Sequence, residues 1–151
     1  MRGGGTKHMS RTIRDIIRNQ KILALPPETS VREAARAMAD RNVGSAMVVE
    51  DGKLVGIFTE RDALVRVLAA GLDPVTTELS AVMARKVLTI SPDRPLVNAL
   101  HRMRDNGFRH MPVVENGIPI GMVSVRDALA SDLIQLETEE EIKEHFTRVM
   151  R

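Results

Sequence analysis

An internal duplication constrains this chain more than any other feature. Shifted by 65 residues without a gap, residues 12–64 match 77–129 at 16 of 53 positions. Thr12 falls on Thr77, Lys21 on Lys86, Pro27 on Pro92, Ala34 on Ala99, Met38 on Met103 and Asp40 on Asp105. The matches are densest where Val48-Val49-Glu50 meets Val113-Val114-Glu115 and where Arg61-Asp62-Ala63-Leu64 meets Arg126-Asp127-Ala128-Leu129. Gly52 and Gly56 likewise meet Gly117 and Gly121. One unit of roughly 50 residues is marginal by itself, so two copies are expected to bury their sheets and helices against each other. The expectation is one compact domain whose copies pack about a pseudo-twofold axis.

Each copy opens with a short amphipathic helix, carried by Ile13, Ile16 and Ile17 in the first and by Leu79, Val82 and Met83 in the second. A short extended piece follows (22–25 and 87–90), then a proline turn and a longer helix. Thr29 or Ser30 caps the first of these helices, whose expected apolar face is Val31, Ala34, Ala35 and Met38. Its counterpart presents Leu96, Ala99, Leu100 and Met103, and Pro95 suits its first turn. Asp51-Gly52 and Asn116-Gly117 each separate two apolar runs, the strongest short hairpin signal. A last helix begins near Thr59 or Ser124. The fold class is therefore α/β (α+β), built from two tandem β-α-β-β-α repeats. The expected boundaries are a cloning leader at 1–8, a first repeat at 10–70, a linker at 71–76, a second repeat at 77–135 and a C-terminal helix at 136–151. Ile142, Phe146, Val149 and Met150 give that last helix an apolar stripe, suited to packing on the same chain or on a sister subunit.

Composition removes several function classes. The formal charge is +2, but Arg2 and Lys7 lie in the leader, and without them 20 basic residues face 20 acidic ones. Trp and Tyr are absent and Phe occurs three times. Balanced charge and missing stacking platforms disfavour nucleic acid. Cysteine is absent, which excludes disulfides, thiolate metal sites and a thiol nucleophile. The histidines lack ligand spacing with a carboxylate, so no metal is expected. Nine methionines read as adaptable core. No run of 18 apolar residues exists, so no membrane span is expected, and with no secretory signal in view the expected compartment is the cytoplasm.

The signature Gly-x-x-x-Gly-[Ile/Met]-[Phe/Val]-[Thr/Ser]-x-Arg-Asp occurs at 52–62 and again at 117–127. With the 79–83 lead-in and the Arg109-His110-Met111-Pro112-Val113-Val114 strand, it resembles the CBS domain family, named for cystathionine β-synthase. The resemblance covers about residues 10–135. It implies a regulatory module without catalytic activity that binds an adenine nucleotide in clefts between its repeats. AMP is the foremost ligand, with ADP, ATP or NAD as the others. It also implies a homodimer formed through helices, and a regulated protein partner that the sequence does not identify.

The chemistry of the repeated Thr59-Glu60-Arg61-Asp62 and Ser124-Val125-Arg126-Asp127 supports two readings. Either is a capping box, in which the hydroxyl caps a helix and the acid reaches back. That leaves the Arg before each Asp unexplained. A helix start offers free N–H groups and a positive dipole end, so an added Arg and hydroxyl make a phosphate site of Thr59, Arg61, Ser124 and Arg126. A neighbouring carboxylate repels phosphate but accepts the vicinal hydroxyls of a ribose, which assigns Asp62 and Asp127. The resemblance adds Thr29 as a ribose contact and Val43, Gly44, Ser45 and Phe108 as the slot for the base. Arg109 and His110 are positioned by it to reach phosphate. Thr29 is replaced by Arg94 in the second copy, so the two clefts are expected to differ, and the one using Asp127 with Thr29, Val43 and Gly44 looks most like an adenosine pocket. The alternative is an interaction scaffold with vestigial clefts. A nucleotide-using enzyme is disfavoured, because no Walker loop, nucleophile–base pair or metal cluster is present.

Overall fold

The computed structural model describes residues 12–129. The leader expected at 1–8, and the helix and apolar stripe expected at 136–151, fall outside the described residues. The elements are α1 (Ile13–Ile17), β1 (Ala24–Leu25), α2 (Val31–Arg41), β2 (Ser45–Glu50), β3 (Lys53–Thr59) and α3 (Glu60–Asp62), which continues as a π-helix over Ala63–Leu68. Then come α4 (Leu79–Val82), α5 (Leu96–Asn106), β4 (His110–Glu115), β5 (Ile118–Ser124) and α6 (Val125–Leu129). This is the mixed α+β order that the duplication implies. The described residues group into two units, one of 21–88 with 116–119, the other of 12–20, 89–115 and 120–129.

In the first unit β1 runs parallel to β2, and β2 pairs antiparallel with β3. The connecting Asp51 and Gly52 take φ of 52° and 79°, the doubly left-handed pair that matches strand twist in a two-residue hairpin. Helix α2 starts at a full capping box. Ser30 Oγ accepts the Glu33 N–H at 3.1 Å while the Glu33 carboxylate takes the Ser30 N–H. It ends at Asn42, left-handed at φ 54°. Val31, Ala34 and Met38 are buried in a core with Leu23, Val48 and Phe58. Ala35, expected on that face, is exposed. The face is centred between positions 31, 34 and 38, so Ala35 and Ala37 flank it, and Ala37 is the flank that packs. Ser30→Ala leaves the helix start without its acceptor, at a cost of about 1 kcal/mol. The expected result is a melting temperature lower by roughly 2–4 °C in circular dichroism; an unchanged midpoint would show that the cap contributes nothing.

Helix α4 docks on this unit. The Leu79 N–H donates to Thr29 O at 2.9 Å, and Ile57 and Ala84 exchange backbone bonds at 3.0 and 2.9 Å. A side chain at position 56 could not coexist with this docking. A Cβ on Gly56 would lie 2.6 Å from Met83 Sδ and 2.9 Å from Ala84 O.

The second unit repeats the plan. Leu96, Ala99, Leu100 and Met103 are all buried, as the spacing requires. Pro95 is the residue just before α5, with ψ still extended at 146°. In the second copy Asn116 and Gly117, which group with the first unit, take the same left-handed conformation as Asp51 and Gly52. The extended piece before α5 is reduced to one parallel bridge, Ile90 to Val113. Here the docked helix is α1. Its first N–H groups, which have no partner within the helix, donate to Arg94 O (3.0 Å, from Ile13) and Pro92 O (2.9 Å, from Arg14). The Gln20 side chain clamps Met122 through both its amide atoms, at 2.7 and 2.8 Å. Arg14 pairs with Glu115 at 2.7 Å and Asp93 at 3.1 Å. These acids, Glu115 foremost, raise its pKa further above the usual arginine value, so it is charged at any ordinary pH.

Chain order and spatial grouping thus differ. Helix α1 opens the first copy in sequence but groups with residues of the second, and α4 opens the second copy but groups with residues of the first. Both docking faces carry glycine at equivalent places, 56 and 121, so periodicity alone is silent on which helix sits where.

Candidate functional site

In the first unit, β3 ends at Thr59 and α3 begins there. Thr59 Oγ1 accepts the Asp62 N–H at 3.2 Å. Asp62 Oδ2 accepts the Thr59 N–H at 3.0 Å and its hydroxyl at 3.1 Å. The capping-box reading of this turn is therefore real, and it occupies one carboxylate oxygen. The other, Oδ1, faces Arg66 Nε at 3.6 Å. Arg61 is exposed, and its guanidinium has no polar partner among the described residues.

The start of β2 lies against this turn. Ser45 pairs with Thr59, and the Glu60 N–H donates to Gly44 O at 3.0 Å. Gly44, Ser45 and Thr59–Asp62 are thus brought together by the sheet itself. Ser45 is only 7% exposed, yet its hydroxyl makes no hydrogen bond among the described residues. A buried hydroxyl without a partner is uncommon in a finished fold and fits a place where a ligand supplies one. Val43, just before it, is an exposed apolar residue. Thr29 sits before α2. The cap belongs to Ser30, so the Thr29 hydroxyl is left without a partner among the described residues.

In the second unit, Ser124 Oγ accepts the Asp127 N–H at 3.0 Å. The reverse half of the box is absent. The Asp127 carboxylate is exposed and has no hydrogen-bond or ion-pair partner among the described residues, and neither has the Arg126 guanidinium. Arg109 O accepts the Val125 N–H at 3.0 Å, which joins Phe108, Arg109 and His110 to this turn. Phe108 is exposed, as is Val43 at the equivalent place. Arg109 and His110 are already engaged by contacts of their own.

The two turns therefore differ in chemistry. Asp127 offers a whole carboxylate beside an arginine and a helix start, whereas Asp62 offers the oxygen that faces Arg66. Sequence reasoning did not single out Arg66. Its signal was present, an Arg four residues after an Asp in a helix. Among the described residues no group of three or more metal-ligating side chains is placed to hold an ion, and no helix is long and apolar enough to cross a membrane.

Comparison with known proteins follows the same lines. The family model for the CBS domain matches residues 13–69 and 79–133. CBS domain-containing protein CBSCBSPB3 of Arabidopsis thaliana is 36% identical over 128 residues, 84% of this chain and 23% of that protein. The chain thus spans about a quarter of that relative's length. Among solved structures, the CBS domain protein PAE2072 from Pyrobaculum aerophilum, complexed with AMP, superposes with a TM-score of 0.76 at 27% identity, covering 84% of this chain and 97% of that one. The CBS domain pair of protein MJ0100, in complex with 5-methylthioadenosine and S-adenosyl-L-methionine, gives a TM-score of 0.70 at 26% identity over 78% and 91% of the two chains.

Proposed function

This chain belongs to the CBS domain family, with two copies in tandem, and from that premise we propose that it is a non-catalytic regulatory sensor of an adenine nucleotide. The observation that carries the reading is the second turn. The Asp127 carboxylate stands one residue from the Arg126 guanidinium, on a helix opened by Ser124, and neither group has a partner among the described residues. A carboxylate accepts vicinal hydroxyls, and an arginine with a helix start takes a phosphate. In this reading Asp127, Asp62 and Thr29 serve ribose. Ser124, Arg126, Thr59 and Arg61 serve phosphate, with Arg109 and His110 near them. Val43, Gly44, Ser45 and Phe108 serve the base. The ligands of the two similar structures share an adenine and a ribose, which supports the adenine and ribose part of the reading, and the AMP of one supports the phosphate part. AMP is the proposed ligand.

A sensor must also have two states that its ligand distinguishes. We assign one of them to a homodimer in the cytoplasm. Leu64, Val65 and Leu68 on the π-helix are 58, 47 and 74% exposed, an apolar surface of the kind a second copy would cover.

Calorimetric titration of ligand-stripped protein tests the reading, with AMP, ADP, ATP, NAD and S-adenosyl-L-methionine as separate arms. The expected result is saturable AMP binding with a Kd below about 1 mM, that is, more than about 4 kcal/mol of binding free energy. Tighter binding of ADP, ATP or NAD would replace AMP while keeping the class, whereas tighter binding of S-adenosyl-L-methionine, which has no phosphate, would overturn the nucleotide and the phosphate assignments. Silence in every arm would overturn the sensor and leave an interaction scaffold.

A further inference from the structure

Arg66 touches both the Asp62 carboxylate and the end of helix α4. Its Nη1 donates to Val82 O and Met83 O, each at 3.3 Å, while its Nε lies 3.6 Å from Asp62 Oδ1. The carbonyls that close a helix lack partners within it, so a cation there both satisfies them and favours the negative dipole end. The carboxylate is meanwhile fixed from its other side by Thr59. Two acceptors, a carboxylate and a helix end, thus share one guanidinium. Arg66 belongs to the π-helix that begins directly after Asp62. The sequence places Ser131 at the equivalent position of the second copy, which has no cation to offer.

From this we infer that Arg66 is a positioning residue that couples the Asp62 carboxylate to the seating of α4, and that the coupling belongs to the first copy alone. Hydroxyls donated to Asp62 by a ligand withdraw the carboxylate from Arg66, and the guanidinium then closes on Val82 O and Met83 O. Occupancy of the turn tightens α4 and thereby reaches the segment between the copies. The ligand half of this inference rests on the nucleotide reading above; the coupling of Asp62, Arg66 and α4 does not.

Amide hydrogen exchange of the full chain tests it. The reporters are the Met83 and Ala84 N–H groups, bonded to Leu79 O and Ile57 O at 2.8 and 2.9 Å. Arg66→Gln is expected to speed their exchange by about threefold to tenfold, the net worth of one or two hydrogen bonds, with the Ile13 and Arg14 amides of α1 unchanged. Asp62→Asn keeps an acceptor for the Thr59 N–H but removes the charge that draws on Arg66. It is expected to slow the same two amides, and to do nothing to them in the Arg66→Gln background. AMP is expected to act as Asp62→Asn does. Exchange at Met83 and Ala84 that ignores Arg66→Gln, or an Asp62→Asn effect of equal size with and without Arg66, would overturn the coupling. If the variant effects hold but AMP leaves wild-type exchange unmoved, the coupling stands and nucleotide binding at Asp62 is refuted.

Discussion

Asp127→Ala weakens AMP binding by at least about 30-fold and leaves the melting temperature within about 2 °C of wild type. The first half follows from two charge-assisted hydrogen bonds to ribose, together worth roughly 2–4 kcal/mol, or 30- to 1,000-fold in Kd. The second half follows from the geometry. The fold uses the Asp127 N–H, which donates to Ser124 Oγ, and leaves the carboxylate without a partner among the described residues. Alanine keeps that N–H. Asp62→Ala is different, because its carboxylate closes the Thr59 box, so it forfeits about 1 kcal/mol of stability as well. A second ligand makes the assignment specific. 2′,3′-Dideoxy-AMP lacks the hydroxyls that Asp127 is assigned to hold, so it loses as much affinity for wild type as AMP loses for Asp127→Ala. The two losses are not additive when combined. Undiminished AMP binding by Asp127→Ala in calorimetry would remove the ribose assignment.

Gly121→Ala unseats helix α1. A Cβ at 121 would lie 2.8 Å from Ile17 Cδ1 and 2.9 Å from both its Cβ and its Cγ2. Ile17 is buried, and its branched side chain cannot swing its own Cβ away, so the helix itself must move. Overpacking of this kind costs about 1–3 kcal/mol, which is roughly 3–9 °C in melting temperature for a chain of this size. Exchange at the Ile13 and Arg14 amides should rise with it, since both are bonded to the loop beneath the helix. Ile17→Ala removes Cδ1 and Cγ2, two of the three obstructing atoms, and keeps the Cβ, so it relieves the clash in part and the double variant should be more stable than the sum of the singles. Gly56→Ala offers a partial contrast. The Met83 sulfur there can rotate aside, but Ala84 O, at 2.9 Å, belongs to the backbone. A Gly121→Ala protein with wild-type melting and wild-type exchange in α1 would contradict the docking described here.

What could be read from the chain was mostly local. Asp51-Gly52 and Asn116-Gly117 specify their turns because few other pairs accept two successive left-handed residues, and both hairpins are where those pairs stand. The α5 face could be read because Leu96, Ala99, Leu100 and Met103 keep helical spacing. Ala35 was harder. An alanine fits a buried or an exposed place equally, so the pattern cannot say which flank of α2 faces the core. The π-helix at 63–68 has no composition cue of its own. The exchange of α1 and α4 between the units lies beyond any local signal, because both docking faces carry glycine at the equivalent place. At the candidate site, the hydroxyl, Arg and Asp of each turn were legible as a group, and so was the rival reading as helix caps. Only the hydrogen bonds separate the turns, since Thr59 engages the Asp62 carboxylate and Ser124 bonds the Asp127 N–H alone.

The most direct measurement of the sensor reading is native mass spectrometry of ligand-stripped protein with AMP added in steps to millimolar concentration. The expected spectrum is a dimer of the chain that gains discrete AMP masses and saturates, with the gain reduced by Asp127→Ala. A spectrum of chain alone, with no AMP retained at any concentration, would contradict the central claim, and the Arg-Asp turns would then be helix starts and nothing more.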